Sequence, residues 1–250
     1  MTDPPLPAPF RWEADHVAGA LPGARVLFST RRGGVSGGAF ASLNLGRLTD
    51  DDGAHVDANR ERLAGAVGLP RERFLYGRQI HGARVRRATE PPGPARVVAE
   101  EDGQATALTD AAALVFVADC LPVALAAPGA VAAVHCGWRG LAAGILAEGM
   151  AALDDLDAGE PVTAALGPSA RACCYEVGEE VHAHFTDVEG ARHGERNLDL
   201  AAIARHALAA AGVDEVHDTG LCTMCSPGLF FSHRRDGGVT GRQAGVVWRA

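Results

Sequence analysis

The chain consists mostly of short runs with apolar residues at alternate positions or in β-branched clusters, broken by a few longer stretches with helical spacing. ARVLFST (24–30) reads as a strand entering the glycine-rich turn RRGGVSGGAFASLNLG. Residues 52–67 carry a helical pattern, with Asp52 as N-cap and Val56, Leu63 and Val67 on one face. RFLYGRQIHG and ARVRRA read as strands around a turn at Gly82, and 113–118, 122–126 and 131–135 as three closely spaced strands. RGLAAGILAEGMAALDDL predicts an alanine-rich helix from residue 139. VTAALGPS reads as a strand, YEVGEEVHAHF as a short helix, and NLDLAAIARHALAAAGV as an amphipathic helix ending near Gly212. A turn, an aromatic run and a final strand close the chain in CTMCSPGLFFSHRRDGGVTGRQAGVVWR. Strands that come in runs, as well as alternating with helices, predict a layered α+β domain rather than a doubly wound sheet.

No linker or charge block divides the 250 residues, so a single domain over 24–250 is expected after a proline-rich segment, 1–23. The net charge of −8 argues against a nucleic-acid surface. All 23 basic residues are arginine, which excludes lysine Schiff-base chemistry, lysine-bound pyridoxal phosphate and a P-loop lysine. ALVFVADCLPVALAAPGAVAAVHCGW is interrupted by Asp119, Cys120, Pro122, Pro128 and Gly129, the pattern of strands and turns rather than of a membrane helix. The N-terminus lacks the charged and apolar regions of a signal peptide, so a cytoplasmic location is expected. There, six cysteines suit metal ligation, core packing or free thiols better than disulfides.

His81, Cys120 and His135 stand out as candidate ligands. Cys120 and His135 each follow an apolar run that reads as a buried strand, and His81 lies in RQIHG. Two imidazoles and a thiolate suit zinc and leave a fourth position open. Their spacings of 39 and 15 residues form no recognised motif, so separate structural roles stand beside shared ligation. Asp119, next to Cys120, is a candidate acid/base or ligand-orienting residue. Cys136 should face away from His135 on the same strand and pack in the core. Arg139, at the start of the expected helix, is a candidate anion site, with a structural salt bridge as the alternative. The glycine-rich turn brings Arg31, Arg32 and Asn44 as further residues for an anion or a sugar. Cys222-x-x-Cys225 reads as a redox pair, as free cysteines, or as half a zinc site with Cys173 and Cys174 as the other half. HRRDG (233–237) reads as an exposed polar turn.

Together, FSTRRGGVSGGAFASLNLG, QIHG, ADCLPVAL, AAVHCGWRGLAAGI, LGPSARACCYEVGEEV and the closing CTMCSPGLFFSHRRDGGVTGRQAGVVWR resemble the YfiH-like laccase-domain family, also known as polyphenol oxidases and peptidoglycan editing factors. The segments follow the family's order from residue 24 onward. The resemblance implies mixed sheets sandwiched between helices and zinc bound by His81, Cys120 and His135. It also implies purine nucleoside chemistry: phosphorolysis of adenosine, inosine and methylthioadenosine to the base and ribose 1-phosphate or methylthioribose 1-phosphate, with deamination of adenosine to inosine. Arg139, Asp119 and Asn44 are then the candidate catalytic residues, and Arg31, Arg139 and Asn44 the anion-binding ones. The expected partners are a purine nucleoside and phosphate, with no nucleic acid or membrane, for a monomer or small homo-oligomer. His233 departs from the pattern at a position where tyrosine is expected.

Three other readings compete. A copper-dependent polyphenol oxidase also uses two histidines and a cysteine, but needs a second, histidine-rich cluster. Only His182-Ala-His184, on an expected surface helix, offers a His-x-His pair. An amidase editing nucleotide-linked muramyl amino acids would use the same open zinc site and anion pocket. A non-enzymatic metal or redox module would rest on the CxxC cysteines instead of the triplet.

Overall fold

The computed structural model describes residues 3–91 and 99–250. Its strands are β1 (Phe10–Glu13), β2 (His16–Leu21), β3 (Ala24–Phe28), β4 (Phe74–Leu75), β5 (Val85–Ala88), β6 (Gly103–Thr106), β7 (Ala112–Val117), β8 (Leu121–Ala126), β9 (Val131–Cys136), β10 (Thr163–Leu166), β11 (Arg192–His193), β12 (Asn197–Leu198), β13 (Glu215–Asp218) and β14 (Gln243–Arg249). The helices are α1 (Gly53–Val67), α2 (Trp138–Ala142), α3 (Ile145–Asp154), α4 (Glu179–His182) and α5 (Leu200–Ala210). Two six-stranded sheets dominate, ordered β1-β2-β3-β14-β7-β4 and β13-β10-β8-β9-β6-β5, with β11 and β12 as a small separate pair. Most pairings are antiparallel, but β4–β7, β5–β6 and β10–β13 are parallel, so both sheets are mixed.

Strand alternation decides which residues meet. Val115 of β7, Val26 and Phe28 of β3 and Val247 of β14 face the second sheet, where they meet Ala124 and Ala126 of β8, Val131 and Ala133 of β9 and Ala165 of β10. The opposite faces of the same strands, Leu27, Leu114, Val246 and Trp248, pack with Leu63, Ala64 and Val67 of α1. On the far side, Leu121, Val123 and Leu125 of β8 and Val134 and Cys136 of β9 pack under α3 and α5. The result is helix, sheet, sheet, helix: the α+β sandwich of mixed sheets expected. The inner layer is thin because small residues line it. A Cβ at Gly167 would lie 2.5 Å from the Phe28 ring, and one at Gly245 2.7 Å from Pro122.

The local pattern located most of the elements. Asp52 caps α1 by accepting from Ala54 N at 2.8 Å, and Asp199 caps α5 through Ala201 N and Ala202 N. Four readings need correction. The alanine-rich helix expected from residue 139 is two helices, α2 and α3, parted at Gly144, whose φ of +82° breaks helical geometry. RFLYGRQIHG is a strand only over Phe74–Leu75, and QIHG is a loop. Residues 10–21, within the proline-rich N-terminal segment, form β1 and β2 at the edge of the first sheet. The His182-x-His184 pair does not lie on a surface helix as a pair, since His182 is buried and only His184 is exposed. β6 has no apolar alternation to betray it, yet it sits between β5 and β9 and brings Asp102 beside the QIHG loop.

Candidate active site

The QIHG loop is held by one carboxylate. Asp102, fully buried, accepts hydrogen bonds from Ile80 N at 3.1 Å, His81 N at 2.9 Å and Gly82 N at 2.8 Å. Three backbone donors on one carboxylate curl the loop around it and fix His81 at a φ of +61°, a left-handed conformation. The same carboxylate contacts His135 Nδ1 at 2.8 Å. Burial opposes ionisation of Asp102, but His135 and the backbone donors hold its carboxyl below the usual range.

Cys120 stands where the chain leaves the first sheet at the end of β7 and enters the second at β8. The crossing turns on Asp119, at a φ of +89°. Its carboxylate is buried and engaged: Thr223 Oγ1 donates at 2.6 Å, Ser232 Oγ at 3.0 Å and Arg234 N at 2.8 Å. The structure therefore makes Asp119 the tie between the crossing turn and the 223 and 232–234 loops.

His135 is the penultimate residue of β9, opposite Pro122 of β8. With Nδ1 engaged by Asp102, its other nitrogen is left for Cys120. Donor atoms of His81, Cys120 and His135 lie within 4.8 Å of one another, and the two imidazole rings are 4.9 Å apart. Burial alone would push the Cys120 thiol up, but the imidazoles of His135 and His81 bring it down to about 6. Burial likewise opposes charge on His135, yet the Cys120 thiolate and Asp102 raise it to about 9. The donor set thus favours a thiolate and wants positive charge at its centre, which fits a divalent cation with soft and borderline ligands. Gly137 closes one side: a Cβ there would lie 2.9 Å from His81 Nδ1 and 3.1 Å from Cys120 Sγ. Cys136 points the other way, into the core under the helices, as strand alternation requires.

The triplet opens into a cavity of about 710 Å³, within the usual size of small-molecule sites. Tyr76, Phe116, Trp138 and Tyr175 supply aromatic walls, and Arg47, Arg60, Arg78, Arg139, Arg234 and Arg242 supply positive charge. Asp119 is the one acidic residue of this lining, so the cavity is cationic in a chain of net charge −8. Several of these guanidinium groups are committed: Arg60 donates to Leu45 O and Tyr76 Oη, Arg242 to Thr240 O and Gly241 O, Arg234 to Glu176 O. Arg139 lies over the Trp138 ring at 4.2 Å and, among the described residues, has no hydrogen-bond or ion-pair partner. Its helix, α2, has only five residues, so the guanidinium and not the helix end carries the anion argument. Tyr175 is pushed up to about 12, by burial first and by the Cys120 thiolate next, and remains a neutral hydroxyl donor.

Three of the sequence candidates lie elsewhere. Asn44 is fully buried and saturated: its amide donates to Thr49 Oγ1 and Asp51 Oδ2, and its carbonyl accepts from Gly46 N and Arg242 N. It shapes the 44–51 loop and seats Arg242. Arg31 donates to Ala41 O and Pro227 O and covers the Phe231 ring, outside the cavity lining. Arg32 likewise pairs with Asp3 and Gly228 O. Conversely, Asp102, Tyr175 and Arg242 belong to the site although no local pattern in the sequence marks them. HRRDG, read as an exposed turn, places His233 and Arg234 on the cavity wall.

Residues 25–250 match the model of the family described as multi-copper polyphenol oxidoreductase laccase. The chain belongs to that family. Its laccase-domain relatives include a purine nucleoside phosphorylase of Xylella fastidiosa (strain Temecula1), 40% identical over 245 residues, covering 91% of this chain and 93% of the relative. Purine nucleoside phosphorylase YfiH of Shigella flexneri is 37% identical over 235 residues, covering 90% and 94%. The crystal structure of YlmD from Geobacillus stearothermophilus is 34% identical and superposes with a TM-score of 0.89, covering 97% of this chain and 99% of that one. The YfiH-like resemblance and the fold it implies are thereby established. No helix among the described residues is long and apolar enough to cross a membrane.

Proposed function

We propose that this chain is a zinc-dependent purine nucleoside enzyme that cleaves adenosine, inosine and methylthioadenosine by phosphorolysis and deaminates adenosine. The observation that carries the reading is the juxtaposition, in one cavity, of a three-donor His/Cys/His centre with aromatic walls and a positively charged lining. The Xylella and Shigella relatives are named purine nucleoside phosphorylases, which supports the phosphorolysis in this reading. His81, Cys120 and His135 would hold the ion, with Asp102 orienting the two histidines. When bound, zinc supplies Lewis-acid polarisation and acidifies water.

In phosphorolysis a phosphate oxygen bonds to the anomeric carbon while the C–N bond to the base breaks, and the base departs with the electron pair and takes up a proton. Arg139 is the uncommitted cation for the phosphate, and Arg234, which gives one guanidinium nitrogen to Glu176 O, lines the same cavity as a second donor. The rings of Trp138, Tyr175 and Phe116 offer faces for a purine, and the neutral Tyr175 hydroxyl can donate to it. Asp119 acts through the turns it ties, by placing Cys120 and Arg234. The six unbonded cysteines suit the reducing cytoplasm.

The copper oxidase reading lacks a partner site. Among the described residues, the groups of three or more metal-capable side chains are this triplet and a four-cysteine cluster, and neither is the histidine-rich second centre that such an oxidase needs.

Incubating metal-defined protein with adenosine, with and without phosphate, and separating the products tests the proposal. Phosphate-dependent adenine reports phosphorolysis, and phosphate-independent inosine reports deamination. Neither product appearing with the zinc-loaded protein would overturn the reading.

A further inference from the structure

Away from the cavity, two cysteine pairs that lie far apart in the chain converge. Cys173 and Cys174 sit in a tight turn closed by hydrogen bonds from Cys174 N and Tyr175 N to Arg171 O. Cys222 and Cys225 sit in the loop after β13, and the two segments are laced together by Ser169 N to Leu221 O and Thr223 N to Ser169 O. All four sulfurs lie within 4.8 Å of one another. The separations are 3.5 Å for Cys173–Cys174, 3.7 Å for Cys173–Cys222, 3.6 Å for Cys173–Cys225, 3.4 Å for Cys174–Cys222 and 3.7 Å for Cys174–Cys225. A tetrahedral ion with metal–sulfur bonds of about 2.3 Å sets its sulfurs about 3.8 Å apart. Five near-equal edges, with the sixth pair also within 4.8 Å, match such a tetrahedron.

Neither packing nor disulfide formation accounts for the cluster. Apolar packing would bury the sulfurs, yet Cys173 and Cys225 are exposed. A disulfide requires two sulfurs at about 2 Å, with the other two free to separate; here each sulfur keeps to all its neighbours.

We infer that Cys173, Cys174, Cys222 and Cys225 form a second metal site, a closed tetrathiolate centre for one structural zinc ion, separate from the His81, Cys120, His135 triplet. Four thiolates complete the tetrahedron and leave no position for substrate, so the ion staples two loops instead of doing chemistry. Those loops matter to the cavity. Tyr175 follows Cys174 directly and lines the wall, and Thr223 follows Cys222 and donates to Asp119. Loading the site releases the thiol protons and ties the two loops together, coupling metal content to the stability of this end of the sandwich.

The test is metal stoichiometry on the full chain purified under reducing conditions. Elemental analysis of the wild type should find about two zinc ions per chain, one for each donor set. Cys173→Ser/Cys225→Ser should lose one ion and keep the triplet's, and Cys120→Ala should lose the other. Where the double variant does not fold, Cys120→Ala decides the matter: with cobalt in place of zinc, strong sulfur-to-cobalt absorption should persist there, since the remaining four-thiolate set is this one. A wild type that binds one ion and shows no cobalt–thiolate absorption in Cys120→Ala overturns the inference. So does an intact-mass measurement, on denatured and unreduced protein, showing these cysteines paired as disulfides.

Discussion

Replacing Asp102 by asparagine preserves shape and removes one capability. The carboxylate accepts on both oxygens: Ile80 N and Gly82 N on Oδ2, His81 N and His135 Nδ1 on Oδ1. An asparagine has one carbonyl oxygen and one NH₂ group, so one side must face donors with a donor. If the NH₂ turns to Ile80 and Gly82, two buried N–H groups lose their acceptor and the QIHG loop loosens. If it turns to His81 and His135, the His135 ring must accept at Nδ1 and carry its proton on the nitrogen that faces Cys120, where it blocks ligation. Each charge-assisted hydrogen bond is worth roughly 1.5–3 kcal/mol, so either orientation forfeits several kcal/mol before relaxation. Loss of an outer-shell partner of this kind weakens metal binding by about 10–100-fold, equivalent to about 1.4–2.8 kcal/mol. Competition against a chromogenic chelator, on Asp102→Asn and wild type at neutral pH, measures the affinity at the triplet directly. The Cys173→Ser/Cys225→Ser background keeps the cysteine cluster out of the count. An Asp102→Asn protein that folds and holds its ion as tightly as wild type would refute the assignment of Asp102 as the residue that sets both histidines.

Gly137→Ala should empty the triplet while leaving the core intact, because its methyl would crowd His81 Nδ1 and Cys120 Sγ; elemental analysis together with thermal unfolding checks this. Arg139→Ala should reduce phosphate-dependent turnover by about tenfold or more, the loss expected for a charged hydrogen bond, with zinc content and melting temperature nearly unchanged; a fall only in step with unfolding would make Arg139 structural. Asp218 is held below its ordinary 3.8 because Arg171, and more distantly Arg205, outweigh the cost of burial. Its folded pKa lies below its unfolded one, so its contribution is present above the ordinary carboxyl range and is lost as pH falls through the folded value. Urea titrations from neutral pH to the acid limb should show a steeper loss for wild type than for Asp218→Asn, and equal slopes would contradict the pairing.

Much of this protein was legible from local sequence. Period-two alternation in β7, β8 and β9 assigns each residue to a face, and that alone separates His135, turned to the site, from Cys136, turned to the core. The cap at Asp52 marks a helix start because the capping bond is local. Two imidazoles and a thiolate identify themselves by ligand chemistry. What only the tertiary structure decided is which loops meet, since register between distant strands is set by the whole core. Asp102 reaches the QIHG loop because β6 pairs with β5 and β9, though nothing in EDGQAT announces it. Asn44 and Arg31 carry the right chemistry but are spent on hydrogen bonds outside the cavity lining, and Arg234, in a turn that reads as solvent-exposed, reaches the cavity because Asp119 pins its backbone. The four cysteines follow the same rule. Their types are visible in the chain, but a tetrahedron exists only where Ser169 bridges to Cys222 and brings two turns to one point.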